Sequence, residues 1–424
     1  MSVKNTPASV YIDSEIGKLK AVILHTPGPE VENMTPDSAE KALYSDILNL
    51  SVVQREYSQL KNFLKKVTTT YQVKQLFAEI LTDEKVKSEI LQNVISLDKV
   101  DRNTASDLHC MKPEKLATAL IEGVEFRNDT LTQYLSKERY SVEPLHNFFF
   151  TRDASFILNE HAVISNMANP VRYRESLIMN AIFTHHPLFK AKTLTTTETA
   201  FNNSACSFEG GDFLVAREDI LLVGTGTRTT SKGIDFMMEH FRNQKKTQHI
   251  IVQELPKKPE SFIHLDMVFT FLDKNQCMVY EPLIVQPNRY FTVHITIDNG
   301  KVKKIQEVEN IPETLATLGM DLEMLYCGGR KNQVIQEREQ WHSGANFFAL
   351  EPGKVVGYGR NVNTIEELSK NGFAVIKASD VIHDRVNISD YEKYVVTIDG
   401  AELSRGGGGC RCMTMPVLRE KVIW

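Results

Sequence analysis

The chain has 424 residues, 42% apolar and 24% charged, with a net charge of −5. That length allows two or three ordinary domains, or one large α/β unit with a sizeable core. No apolar run reaches the ~18 residues of a membrane span, no hydrophobic leader opens the sequence, and the mixed charge argues against nucleic acid as a partner.

In chain order, Gly17 to His25 reads as a strand stopped by Thr-Pro-Gly-Pro. Apolar residues then recur at helical spacing from Ala42 through Leu64. The helical texture continues over 75–140, where Phe77, Ile80, Leu81, Val86, Ile90 and Leu91 fit one stripe and Ala117, Leu120 and Ile121 another. This stretch reads as a small helical domain (75–140) inserted into a larger fold formed by 1–74 and 141–424.

After Pro144 a unit repeats. Phe150-Thr-Arg-Asp153, Glu209-Gly-Gly-Asp212 and His264-Leu-Asp266 are each followed by an apolar strand, a polar turn and a returning strand. Asn346-Phe-Phe-Ala-Leu begins a fourth copy, and Asp153, Asp212 and Asp266 recur at near-regular spacing. The strand near Val22 and the segment Met413–Pro416 complete a fifth unit from the two ends of the chain. Units related by rotation bring equivalent positions onto one axis. Asp153, Glu209, His264, Asp266 and a thiol from the C-terminal loop would then share a cavity.

The six cysteines, at 110, 206, 277, 327, 410 and 412, are too sparse for a disulfide scaffold and point to a reducing cytoplasm. Cys410 and Cys412 lack the spacing of a structural zinc site, and no metal is expected. Gly406 to Gly409 is not a phosphate loop; four glycines permit a mobile loop over a pocket or a close backbone approach to a ligand. A carboxylate at a strand start is usually a turn residue, and a lone cysteine is usually inert. Recurrence at one phase of a repeat favours function, because a core has no use for unpaired carboxylates. A thiol, a histidine and several carboxylates suit nucleophilic attack on a planar cation with several N–H donors, and a guanidinium is such a group.

The four motifs, Phe150-Thr-Arg-Asp153, Glu209-Gly-Gly-Asp212, His264-Leu-Asp266 and the glycine-rich Cys412-Met-Thr-Met-Pro416, resemble those of the arginine deiminase family over nearly the whole chain. The resemblance implies a five-bladed α/β propeller of repeated ββαβ units around a central active site (the pentein type), with the helical insert. It implies hydrolysis of L-arginine to L-citrulline and ammonia through a thiouronium on Cys412. It also implies His264 as general acid/base with Glu209 as its partner, Asp153 and Asp266 clamping the guanidinium, and Asn147, Arg172 and Arg228 holding the amino-acid end. No cofactor or membrane is implied; a homodimer or larger homo-oligomer in the cytoplasm is. Related alternatives are a deiminase or dihydrolase for a modified arginine or agmatine, and, from another class, a non-catalytic guanidine-binding protein. The sequence departs from the family pattern in three places. Arg405 is followed only by glycines until Cys410, Cys410-Arg411 precedes the nucleophile, and Ser45-Asp46 stands where the family carries an acidic pair.

Overall fold

The computed structural model describes residues 10–36, 39, 44, 46–127, 130–135, 139–197, 199–203 and 205–424. It is a mixed α/β fold whose strands form five sheets of three or more strands and one two-stranded ribbon. Each of the four internal repeats is an antiparallel hairpin joined by a parallel third strand. Ser155–Leu158 and His161–Ile164 are followed by Lys192–Leu194. Phe213–Arg217 and Ile220–Thr225 are followed by Gln248–Glu254. Phe269–Asp273 and Gln276–Val279 are followed by Glu323–Tyr326. Phe348–Glu351 and Lys354–Tyr358 are followed by Tyr394–Ile398. A parallel return needs a crossover, and helices such as Tyr173–His185 and Ser231–Gln244 supply it.

The fifth sheet joins distant parts of the chain. Leu19–Leu24 runs antiparallel to Met415–Arg419 and parallel to Thr69–Gln72. The crossover is the helix Leu50–Val67, which buries Val53, Tyr57, Leu60 and Leu64 at helical spacing. This helix starts at Leu50, later than the apolar spacing suggests, because the Asn49 side chain accepts the Val52 N–H and caps it. Ala42, where the pattern begins, lies outside the described residues.

The helical stretch holds Val73–Ile80, Glu84–Asp98, Arg102–Cys110, Pro113–Glu122 and the short Leu131–Tyr134, and also the strand Val124–Glu125, which pairs antiparallel with Tyr140–Val142. Asp83 and Asp101 cap the second and third of these helices, and Gly123, at φ +93°, ends the fourth. The stripe read as continuous from Phe77 to Leu91 is thus two helices broken at the Asp83 cap. Their apolar faces share one core with Phe156, Phe183 and Phe213 of the sheet region.

Candidate active site

Asp153, Glu209, His264 and Asp266 stand in the loops that enter the first strand of their hairpins, and Cys412 in the loop that enters Met415–Arg419, whereas Arg172 and Arg228 follow the second strands His161–Ile164 and Ile220–Thr225. Short 3₁₀ turns, Gly210–Asp212 and Leu265–Met267, separate Glu209 and His264 from the strands that follow. Adjacent loops are hydrogen-bonded to one another. Gly210 N–H donates to the Asp153 carbonyl (3.0 Å), and Leu265 N–H donates to Asp212 Oδ1 (2.9 Å). Asn346 Nδ2 donates to the Asp266 carbonyl (3.1 Å), and Arg411 N–H to Asn346 Oδ1 (2.8 Å). Arg152 N–H donates to the Cys412 carbonyl (3.1 Å), which returns the circuit to its start.

The glycines of Glu209-Gly-Gly-Asp212 are required by space. A Cβ on Gly210 would stand 2.1 Å from the Arg152 carbonyl, and one on Gly211 would stand 2.5 Å from His264 Nδ1. The run before Cys412 has the same cause at two positions. A Cβ on Gly408 would strike the Phe150 ring, and one on Gly409 would lie 2.5 Å from Asn346 Oδ1. The close approach at these two positions is to the Phe150 and Asn346 side chains and not to a ligand.

Cys412, Asp153, Glu209, His264 and Asp266 are all buried. Cys412 Sγ lies 3.6 Å from Asp266 Oδ2 and accepts from Asn346 Nδ2 at 3.2 Å. Burial, then the charges of Asp266 and Asp153, hold the thiol well above its ordinary range. Asp266 is fixed by Arg411 (2.8 Å), which is itself clamped by both carboxylate oxygens of Glu15 (2.9 and 3.0 Å).

His264 Nε2 pairs with Glu209 Oε2 at 2.9 Å, and its Nδ1 faces Asp153 Oδ1 at 3.7 Å. Burial alone would lower the imidazole pKa. Asp153, Glu209 and Asp212 outweigh it and hold it up, to about 9. Burial raises the Glu209 carboxyl, but Arg228, His264 and Arg172 together hold it below the usual carboxylate range. Asp153 Oδ1 and His264 Nδ1 are buried without a hydrogen-bond partner, as is Arg228 Nη1. Such groups are costly unless a ligand satisfies them.

Arg172 and Arg228 flank this cluster in different ways. Arg172 Nη1 donates to Asp153 Oδ2 (2.8 Å) while its other nitrogens grip Glu175 (3.0 and 2.8 Å). Arg228 Nη1 stands 3.7 Å from Glu209 Oε1 and lines a cavity of about 650 Å³. Neighbours of the reactive groups wall that cavity: Ala168, whose N–H donates to Glu209, and Ile263 beside His264. Arg405 and Asp46 also line the cavity and bond to each other, and Arg405 bonds Glu402 as well. Asp46 is the acidic half of the departure at 45–46; Ser45 lies outside the described residues. Asn147 is buried at the start of the first loop, its carbonyl accepting from Phe150 N–H.

Asp153, Glu209 and His264 bring ligand-type atoms within 4.8 Å of one another. Metal coordination and acid–base chemistry share that arrangement. Here His264 Nε2 is already engaged by Glu209, and Arg172 lies against both carboxylates.

Sequence reasoning missed Asn346, Arg411, Glu15 and Glu175 as members of the site. Asn346 left a signal, since it opens the fourth repeat at the phase of the other polar residues. Glu15 left none.

The chain was compared with known proteins. The family model described as arginine deiminase matches residues 40–419. An arginine deiminase of Bacillus cytotoxicus is 31% identical, over 97% of this chain and 99% of its own length. Among solved structures, SxtG, an amidinotransferase from Microseira wollei, superposes with a TM-score of 0.54 at 13% identity, over 98% of this chain and 99% of that one. The N-terminal domain of ArgZ, a cyanobacterial arginine dihydrolase, does so with a TM-score of 0.53 at 13% identity, over 94% and 97%. These distant likenesses give the mixed α/β, pentein-type fold; the sequence match reaches further, and by it the chain belongs to the arginine deiminase family.

Proposed function

We propose that this chain hydrolyses L-arginine to L-citrulline and ammonia, with Cys412 as nucleophile. The observation that carries the reading is a buried thiol 3.6 Å from Asp266 that also feels the charge of Asp153, the carboxylate which with Glu209 holds the His264 imidazole. Asp153 and Asp266 would grip the guanidinium, Asp153 through its unpartnered Oδ1. Arg228, through its unpartnered Nη1, would take the α-carboxylate with Asn147. Arg172 would join them by giving up a bond to Asp153.

Burial and the neighbouring carboxylates favour the thiol form of Cys412, and the carboxylates favour the imidazolium form of His264. The arriving guanidinium brings positive charge beside the sulfur, and the thiol proton leaves to solvent. The thiolate adds to the guanidinium carbon. His264 donates its proton to one terminal nitrogen, the C–N bond breaks, and ammonia departs from a thiouronium on Cys412. The neutral imidazole then takes a proton from water as the water oxygen attacks. The C–S bond breaks, its electron pair returns to sulfur, and citrulline leaves after losing the hydroxyl proton. Protein groups suffice for each step, so the reading invokes no metal or organic cofactor.

The circuit of hydrogen bonds through five loops supports arranging the five sheets as a five-bladed propeller about the site. The reading also treats 75–140 as an inserted helical domain in a catalytic unit of 1–74 and 141–424. It places the protein in the cytoplasm as a homodimer or larger homo-oligomer. No described helix is long and apolar enough to cross a membrane.

The test is citrulline and ammonia release from L-arginine, agmatine and Nα-blocked arginine in parallel. One ammonia and one citrulline per L-arginine is expected, with Cys412→Ala inactive and folded by circular dichroism. Two ammonia with ornithine, or tight arginine binding without product, would replace this reading.

A further inference from the structure

We infer that the outer strand Lys301–Val308 is an interface for a second copy of this chain, paired antiparallel to itself about Ile305. The strand ends the five-stranded sheet. It pairs with Thr292–Asp298 on one side, and no described strand pairs with its other edge. A free edge of this kind is a template for another strand. Almost every residue on it is exposed, including Ile305 at 60% and Val302 at 38%. Ile305 lies opposite Ile295 and Val302 opposite Ile297, both buried, so the apolar face of the sheet continues past the part that the chain itself covers.

The order of residues selects the occupant. The segment reads Lys301-Val-Lys303-Lys304-Ile305-Gln-Glu307-Val-Glu309, basic before Ile305 and acidic after it. A two-fold axis through Ile305 sets Ile305 against Ile305, Lys304 against Gln306, Lys303 against Glu307 and Lys301 against Glu309. The parallel arrangement would instead face lysine with lysine. A bulge opposite Thr296 and Ile297 bends the strand at Lys303, but the basic half of each copy still meets the acidic half of the other. Within the chain these charges are almost unused. Lys303 reaches Asp298 at 3.8 Å, and among the described residues Lys301, Lys304, Glu307 and Glu309 have no ion-pair partner. An acidic or basic foreign strand would match only half of this edge; a second copy matches both.

The inference does not depend on the arginine chemistry, and its test separates it from oligomerisation through another face. Sedimentation of the full chain is measured for wild type, K303E/K304E, E307K/E309K and an equimolar mixture of the two variants, with circular dichroism and thermal melts as the check on folding. The wild type is expected to dimerise. Either variant alone should dissociate at least tenfold more readily, and the mixture should recover a heterodimer because an edge acidic at every charged position but Lys301 then meets an all-basic one. A monomeric wild type would overturn the inference together with the oligomeric reading. An oligomer that neither variant weakens would overturn this interface alone.

Discussion

Asn346 gathers several functions in one side chain. Its carboxamide oxygen accepts from the Arg411 backbone, and its nitrogen donates to Cys412 Sγ and to the Asp266 carbonyl. A donor aimed at sulfur favours thiolate over thiol. Asn346→Asp removes the donor and adds a like charge. It should raise the pH midpoint for alkylation of Cys412 by iodoacetamide and lower kcat by at least about tenfold, the scale of one pKa unit. An unchanged alkylation profile would reduce Asn346 to a loop brace. His264 carries the second prediction at this scale. Its folded pKa of about 9 lies above the ordinary 6.5, so the stabilisation from its charged form is full below 6.5 and is lost as pH rises through about 9. The alkaline limb of kcat/KM should fall near that pH and move lower in Glu209→Gln. A limb that stays put would remove the imidazolium from the mechanism.

At the scale of elements, the loop-entry glycines set the geometry as firmly as the charged residues do. Gly211→Ala places a methyl 2.5 Å from the His264 ring. A shift of about 1 Å in a reacting group can cost about 10²-fold in rate, and that is the expected fall in kcat. Overpacking should also cost about 1–3 kcal/mol, read from the urea midpoint. A variant with wild-type kcat would show that the ring has slack. The repeating hairpins and the phase of Asp153, Glu209 and His264 were legible because strand alternation and polar interruptions are local signals. The Asn49 cap was not, since apolar spacing ran on through it. The glycine run was ambiguous because space around a backbone atom depends on distant partners, here Phe150 and Asn346.

At the scale of the molecule, one ion pair ties the N-terminal region to the Cys412 loop. Glu15 holds Arg411, which holds Asp266 beside the sulfur. The partners are too far apart in the chain for any motif to reveal them. Burial raises the Glu15 carboxyl, but Arg411 and Arg152 win and hold it at about 2. Its contribution is therefore complete above the ordinary 4.5 and disappears as pH falls from there toward 2. Glu15→Gln leaves Arg411 with half its compensation. It should cost about 3–5 kcal/mol and flatten the loss of stability on acidification, as followed by thermal melts from pH 7 to pH 3. A melt profile parallel to wild type would show that Arg411 is held by Asp266 alone.

The sheet that unites Leu19–Leu24 with Met415–Arg419 has a bearing on synthesis. Translation delivers the acids and the imidazole long before the sulfur. A polypeptide interrupted anywhere between them would carry the acids and the imidazole but no Cys412, and no Arg411 to hold Asp266. Reactivity is conferred on this chain last, when its C-terminal strand docks beside its first.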